Sequence, residues 1–389
     1  MNKCRITTVV ATLLLAACGG GGDDTSTSVN SVKVVGASLA DSGTYGYKFT
    51  LQPAGTTTYP VYSERVAADY GMTDFCPAYT SDGSTYAANS GCTNYAVAGA
   101  KVNNYSFTYA QVLENYPGSA IKQLEDVGAA GFTSRDLLIV GEASSNDAAA
   151  LATAFLDDQL SSGATTEFPT LLATLLSDAE LAANASSAVA LGSLYMQKLA
   201  DMLMDAVVTN ALNKGAKRIA IVNTLDITMT PRFQAVLDQV SAANGGGTTG
   251  DTAAAQVQAL VEAWIDAYNR RLEADVAYYS GNVVLVDLYT NFNLLLARPA
   301  NYGLTNTTDT VCDEIVTGGT APGVTSLPVA AAACTDSAAT ALTPPPDGSD
   351  GTADWWKTYL FSDNFHPTPY GHQLLEDIVT ERLTAVGWM

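Results

Sequence analysis

Five short, largely apolar runs, at residues 32–35, 95–98, 137–141, 218–222 and 283–286, set the limits on how this chain can fold. They are continuous rather than alternating in character, as expected of strands buried on both faces of a parallel sheet. The stretches between them are long enough for crossover helices, and amphipathic patterns occur at 60–70, 121–130, 191–211, 257–276 and 369–386. Strands alternating with helices predict an α/β domain of three layers. In open sheets of this kind functional groups gather beyond the carboxyl ends of the strands. With 47% hydrophobic residues in 389, a substantial core can be buried.

Two segments exceed this minimal pattern. Residues 148–215 are rich in Ala and Leu and read as several helices inserted after the third strand. Residues 290–350 read as an irregular excursion that includes Pro344-Pro345-Pro346. Neither shows a fixed repeat, so both are treated as insertions in one domain spanning 31–389.

Lys3 and Arg5 precede a short apolar stretch at 6–17, too short for the roughly 20 residues that cross a bilayer and shaped like a secretory signal. Leu15-Ala16-Ala17-Cys18 resembles the lipobox of bacterial lipoproteins. That resemblance implies a signal peptide over 1–17, acylation of Cys18, a flexible tether over 18–30, and an exported protein anchored to the outer membrane. The remaining cysteines, Cys76, Cys92, Cys312 and Cys334, are even in number, as disulfides of an exported chain require. Three pairings are open; Cys76 with Cys92 and Cys312 with Cys334 are preferred because each closes a short loop rich in Gly, Ser and Thr. No close Cys-x-x-Cys occurs, so no metal site is expected. The net charge of −21 repels phosphate backbones and makes nucleic acid an improbable partner. The same acidity leaves the acyl anchor as the expected membrane contact.

The chemistry-bearing residues lie at the two ends of the domain. Ser38 follows the first apolar run, on a turn, and His366 stands three residues after Asp363 near the end; the only other histidine is His372. A serine hydroxyl is a weak nucleophile until a base removes its proton, and a histidine oriented by a carboxylate is such a base. Pro367 biases His366 toward an extended backbone, which keeps the ring on a loop ahead of the last helix. Thr368 and Pro369 suit the cap and first turn of that helix. Asp287, at the end of the fifth run, is a rival acid for His366, and His372 is expected to be structural. Trp355, Trp356 and Tyr359 are candidates to line an acyl pocket, although aromatic residues so placed are as often plain core.

Five blocks in order resemble the GDSL-type esterases and lipases of the SGNH hydrolase superfamily, in the bacterial branch of secreted lipases and acyltransferases. Residues 36–43 (Gly-Ala-Ser-Leu-Ala-Asp-Ser-Gly) are similar to Gly-Asp-Ser-Leu-x-Asp-x-Gly, with Ala37 in place of the usual aspartate. Residues 94–100 resemble the second block and 141–147 the block ending Gly-x-Asn-Asp, with Ser144 where glycine is usual. Residues 223–233 resemble the segment after the fourth strand, and 363–372 resemble Asp-x-x-His-Pro-Thr-x-x-Gly-His. The resemblance implies a flavodoxin-like sheet of five parallel strands, catalysis by Ser38, His366 and Asp363, and oxyanion donors from Ser38, Gly99 and Asn146, without a cofactor. It implies an esterase or lipase acting on carboxylic, lipid-like acyl esters. An acyltransferase, a carbohydrate deacetylase and a non-catalytic surface-binding lipoprotein are the alternatives.

Overall fold

The computed structural model describes residues 28–55, 58–160, 165–321, 323, 325–327 and 331–389. The stretch read as a signal peptide, Cys18 and most of the expected tether lie outside the described residues. The centre is a parallel sheet of four strands, Ser31–Val35 (β1), Asp136–Val140 (β2), Arg218–Val222 (β3) and Val283–Val286 (β4), in the spatial order of the chain. One row of the register runs Val34, Ile139, Ala220 and Val284. All five residues of β2 are buried, consistent with a strand covered on both faces.

The sheet differs from the five-strand expectation at residues 95–98. The chain there runs beside β1, with Tyr95 N–H donating to the Val34 carbonyl at 2.7 Å and Val97 N–H to that of Gly36 at 3.2 Å. Only Asn94 forms a bridge with Val34, and no strand is made. The physical reason is that the segment is pulled away from the ladder: the Ala98 N–H donates to Asp41, and Gly99 turns the chain at φ 79°. It occupies the edge position a regular strand would hold, next to β1.

Helices cover both faces. Tyr62–Asp69 (α1) packs against the last helix on one side, whereas Ala120–Ala130 (α2) contacts Ala188–Asn210 (α4) on the other, and α4 runs against Gly247–Tyr278 (α6). Between α2 and α4 in the chain lies Ala143–Leu160 (α3), which follows β2; Pro231–Ala243 (α5) follows β3, and Leu288–Ala297 (α7) follows β4. The last helix, Pro369–Ala385 (α8), starts at Thr368, whose hydroxyl accepts from Gly371 N–H at 3.0 Å. Among the described residues no helix is long and apolar enough to cross a membrane.

Small residues let the helices approach. A side chain at Gly192 on α4 would meet the indole of Trp264 on α6 at 2.2 Å, so the ring lies directly on the α4 backbone. Trp264 also stacks on Phe168, at 5.8 Å between ring centroids. The helical stretch after β2 is therefore fused into the main core. The segment after α7 is less irregular than its composition indicates, because it contains helices Val311–Thr317 and Asp336–Ala341. Both disulfides join the preferred partners, Cys76 to Cys92 and Cys312 to Cys334. The second lies in a small separate core with Leu51, Trp355, Trp356 and Tyr359. Of the two readings of those three aromatic side chains, pocket lining or core, the structure has them in the core, where they cover the adjacent disulfide.

Candidate active site

The turn after β1 carries Ser38 past the carboxyl end of the sheet, and several groups fix it there. Gly36 and Gly141 pass so closely that a side chain on Gly36 would meet the Gly141 Cα at 3.2 Å. The Gly36 N–H donates to the buried Gln123 amide oxygen at 2.8 Å. Glu142 accepts from Leu39 N–H at 3.1 Å behind the turn. Asp41 accepts from Gly43, Thr44 and Ala98 N–H groups at 2.8–2.9 Å, tying the turn to the segment ending in Gly99. Burial pushes both the Asp41 and Glu142 carboxyls up from their ordinary values despite these donors.

The other end of the chain arrives opposite. The strand Tyr359–Phe361 leads into a tight loop closed by Ser362 N–H donating to the His366 carbonyl at 2.7 Å. His366 Nε2 lies 2.9 Å from Ser38 Oγ, and Nδ1 lies 2.9 Å from both carboxylate oxygens of Asp363. Asp363 is fully buried and accepts from Leu327 N–H at 2.7 Å, Phe365 N–H at 2.9 Å and His366 N–H at 2.6 Å. Burial would raise its pKa, but the imidazole and the N–H donors outweigh that and hold the carboxyl below its ordinary value. An anion therefore sits against Nδ1, which sets Nδ1 as the protonated nitrogen of a neutral ring and leaves Nε2 to accept from the Ser38 hydroxyl. Such an arrangement can take a proton from the serine and hold the charge that results.

Ser38, Gly99, Asn146 and His366 share one cavity of about 470 Å³, walled on one side by Tyr45, Tyr47 and Phe49. Asn146 and Asp147 lie in the first turn of α3, which begins at Ala143. The Asn146 amide donates one hydrogen to the Ala100 carbonyl at 3.0 Å. Asp147 points the other way and accepts from Val102 and Asn103 N–H groups at 2.7 and 2.9 Å; burial pushes its carboxyl up to about 7. The Ser144 departure is absorbed in the core, where its hydroxyl meets that of Thr224 at 2.7 Å. Among the described residues no cluster of three or more His, Cys, Asp and Glu side chains is arranged to hold a metal ion.

Asp287 is not on His366. It caps α7, accepts from Thr290 N–H and the Asn223 amide at 3.0 Å each, and lines a different groove. His372 is fully buried; its Nε2 meets the Phe49 carbonyl at 3.2 Å while Nδ1 accepts from Tyr62 N–H at 3.3 Å. Phe49 in turn packs on the His366 ring, 4.8 Å between centroids, so His372 supports the imidazole through it. Burial lowers the His372 pKa to about 3. A ring kept neutral in the fold but free to protonate when unfolded contributes its full stability above about pH 6.5 and loses it as the pH falls toward 3. Between pH 8 and pH 5 that loss is about 2 kcal/mol. Asp41, Glu142 and Asp147, with raised values, oppose it. The readout is therefore the difference in urea stability between the native protein and His372→Asn, which should shrink by that amount from pH 8 to pH 5; a constant difference would contradict the assignment.

Sequence reasoning missed the support of Asp363. Asp313 accepts from Gly323 and Thr325 N–H groups at 2.7 and 2.9 Å, and this fixes the stretch that delivers the Leu327 N–H to Asp363. No local pattern signals it, because the partners are joined only by the fold. Compared with known families, the chain matches the model described as GDSL-like Lipase/Acylhydrolase over residues 33–379. No curated protein matches it.

Proposed function

Because the chain belongs to the GDSL-like lipase/acylhydrolase family, which implies a hydrolase acting on esters, we propose that it is a serine esterase working through an acyl-enzyme on Ser38. The observation that carries this reading is the unbroken line of hydrogen bonds from Asp363 through His366 to Ser38 at the wall of an open cavity. Ser38 Oγ attacks the ester carbonyl as His366 Nε2 takes its proton, and the buried Asp363 carboxylate stabilises the imidazolium. The negative oxygen of the tetrahedral intermediate is met by the N–H groups of Ser38 and Gly99 and by the Asn146 amide hydrogen not used on Ala100. His366 then returns the proton to the departing alcohol. A water molecule activated by the same imidazole hydrolyses the acyl-enzyme. An alcohol in place of that water would make the reaction an acyl transfer.

The substrate we propose is a lipid-like acyl ester, since apolar surface lies beside Ser38. The leader and Cys18 support export and acyl anchoring at the outer membrane, with residues 18–30 as tether to the hydrolase domain. The test is turnover of p-nitrophenyl esters by the purified protein beside Asn146→Ala. The variant is expected to lose about 10²- to 10³-fold in kcat, the usual cost of one oxyanion donor. No turnover of any ester by the native protein would refute the reading.

A further inference from the structure

The cavity at Ser38 has a neighbour. A second cavity, of about 160 Å³, shares three lining residues with it: Ala149, Arg232 and Phe365. These three residues border both cavities. One wall of the inner cavity is a single face of α3, where Ala149, Ala152 and Leu156 follow Asn146 at helical spacing. From Asn146 to Leu156 that face extends about 15 Å at 1.5 Å per residue. The opposite wall is one face of α5, carrying Phe233, Val236 and Val240. Ile227 lines it and is buried, as is Thr230, whose hydroxyl donates to the Ile227 carbonyl at 2.7 Å, whereas the polar residues Thr153, Asp157 and Gln239 are exposed. The start of α5 is fixed to the loop of the imidazole by Arg232 N–H donating to the Asn364 carbonyl at 2.8 Å.

We propose that this inner cavity binds the acyl chain of the substrate, with the carbonyl at Ser38 and Asn146 and the chain passing between Arg232 and Phe365 to lie along α3. The assignment rests on the esterase reading and specifies it: the substrate class is an ester of a medium-length fatty acid. An apolar cavity near 150 Å³ holds a molecule of about six carbons, so the part of the chain beyond Arg232 and Phe365 has that size. The carbons nearest the carbonyl occupy the outer cavity. The alcohol is then left on the side of Tyr45 and Tyr47, which opens to solvent. Ala149 and Ala152 matter because a larger side chain on that face would fill the channel, whereas Leu156 marks its depth.

The experiment compares kcat/KM for p-nitrophenyl acetate, octanoate and dodecanoate in the native protein, Ala152→Phe and Leu156→Ala. Each methylene seated in an apolar wall contributes roughly three- to fourfold, so the native protein is expected to favour octanoate over acetate by at least a hundredfold. Ala152→Phe should reduce that ratio at least tenfold. Leu156→Ala should raise dodecanoate relative to octanoate severalfold. A variant that merely folds poorly loses all three esters in proportion, so the ratios carry the result, and the Leu156→Ala shift supports the assignment by itself. Unchanged ratios in both variants of an active protein would overturn the acyl channel and leave hydrolysis at Ser38 standing. Failure of the native protein to hydrolyse any of the three would instead remove the reading beneath it.

Discussion

Alanine in place of Ser38 is expected to lower kcat for ester hydrolysis by about 10⁴-fold or more, with KM changed by no more than severalfold. Ser38 Oγ is the atom that meets His366 Nε2, and its removal takes away the proposed nucleophile while leaving the cavity walls in place. The side chain is small and nearly buried, and the turn is held through backbone groups by Gln123, Glu142 and Asp41. The fold should therefore tolerate the change, and the melting temperature is the control. His366→Ala should cost a similar factor, and the double variant no more than either alone, because nucleophile and base act as one unit. Steady-state kinetics on a p-nitrophenyl ester check this. A Ser38→Ala protein retaining a tenth of native activity would place the chemistry elsewhere.

The second large effect is at Asp363. Asp363→Asn should lower kcat near neutral pH by about 10⁴-fold, the loss seen when the carboxylate no longer selects the imidazole tautomer. In this protein the variant should also be less stable. Both carboxylate oxygens face backbone donors, Leu327 N–H on one side and Phe365 and His366 N–H on the other. Whichever way the asparagine amide turns, its NH₂ meets a buried N–H group. A buried donor left unsatisfied costs about 1–3 kcal/mol, so a lower melting temperature should accompany the kinetic loss. Full activity with native stability would mean that Asp363 is not anionic in the folded protein.

How much of this was legible in the sequence depended on whether the partners are close in the chain. Residues 218–222 and 283–286 are regular strands because continuous apolar runs have no alternative to a two-sided core. The Asp363–His366 contact was legible because three residues on a tight loop can only fold back on each other. The run at 95–98 looked equally strand-like, yet Asp41, more than fifty residues earlier, draws its backbone off the ladder. Tertiary hydrogen bonding overrides local pattern there. Residues 144–147, Ser-Ser-Asn-Asp, locally favour a turn, yet they open α3, where Asp147 and Ser144 have long-range partners. For Trp355 and Trp356 the sequence left pocket and core open, because aromatic residues near a site in sequence need not face it. The role of Leu327 rests on a backbone N–H, which carries no residue signature.

The proposed catalysis requires His366 to make Ser38 Oγ nucleophilic. Incubating the folded protein with a fluorophosphonate and mapping the adduct by mass spectrometry tests this directly. One phosphonyl group per chain is expected, on the peptide containing Ser38, and none after unfolding in urea or in His366→Ala. An adduct on another serine, or an unlabelled Ser38 in protein that still hydrolyses esters, would contradict it.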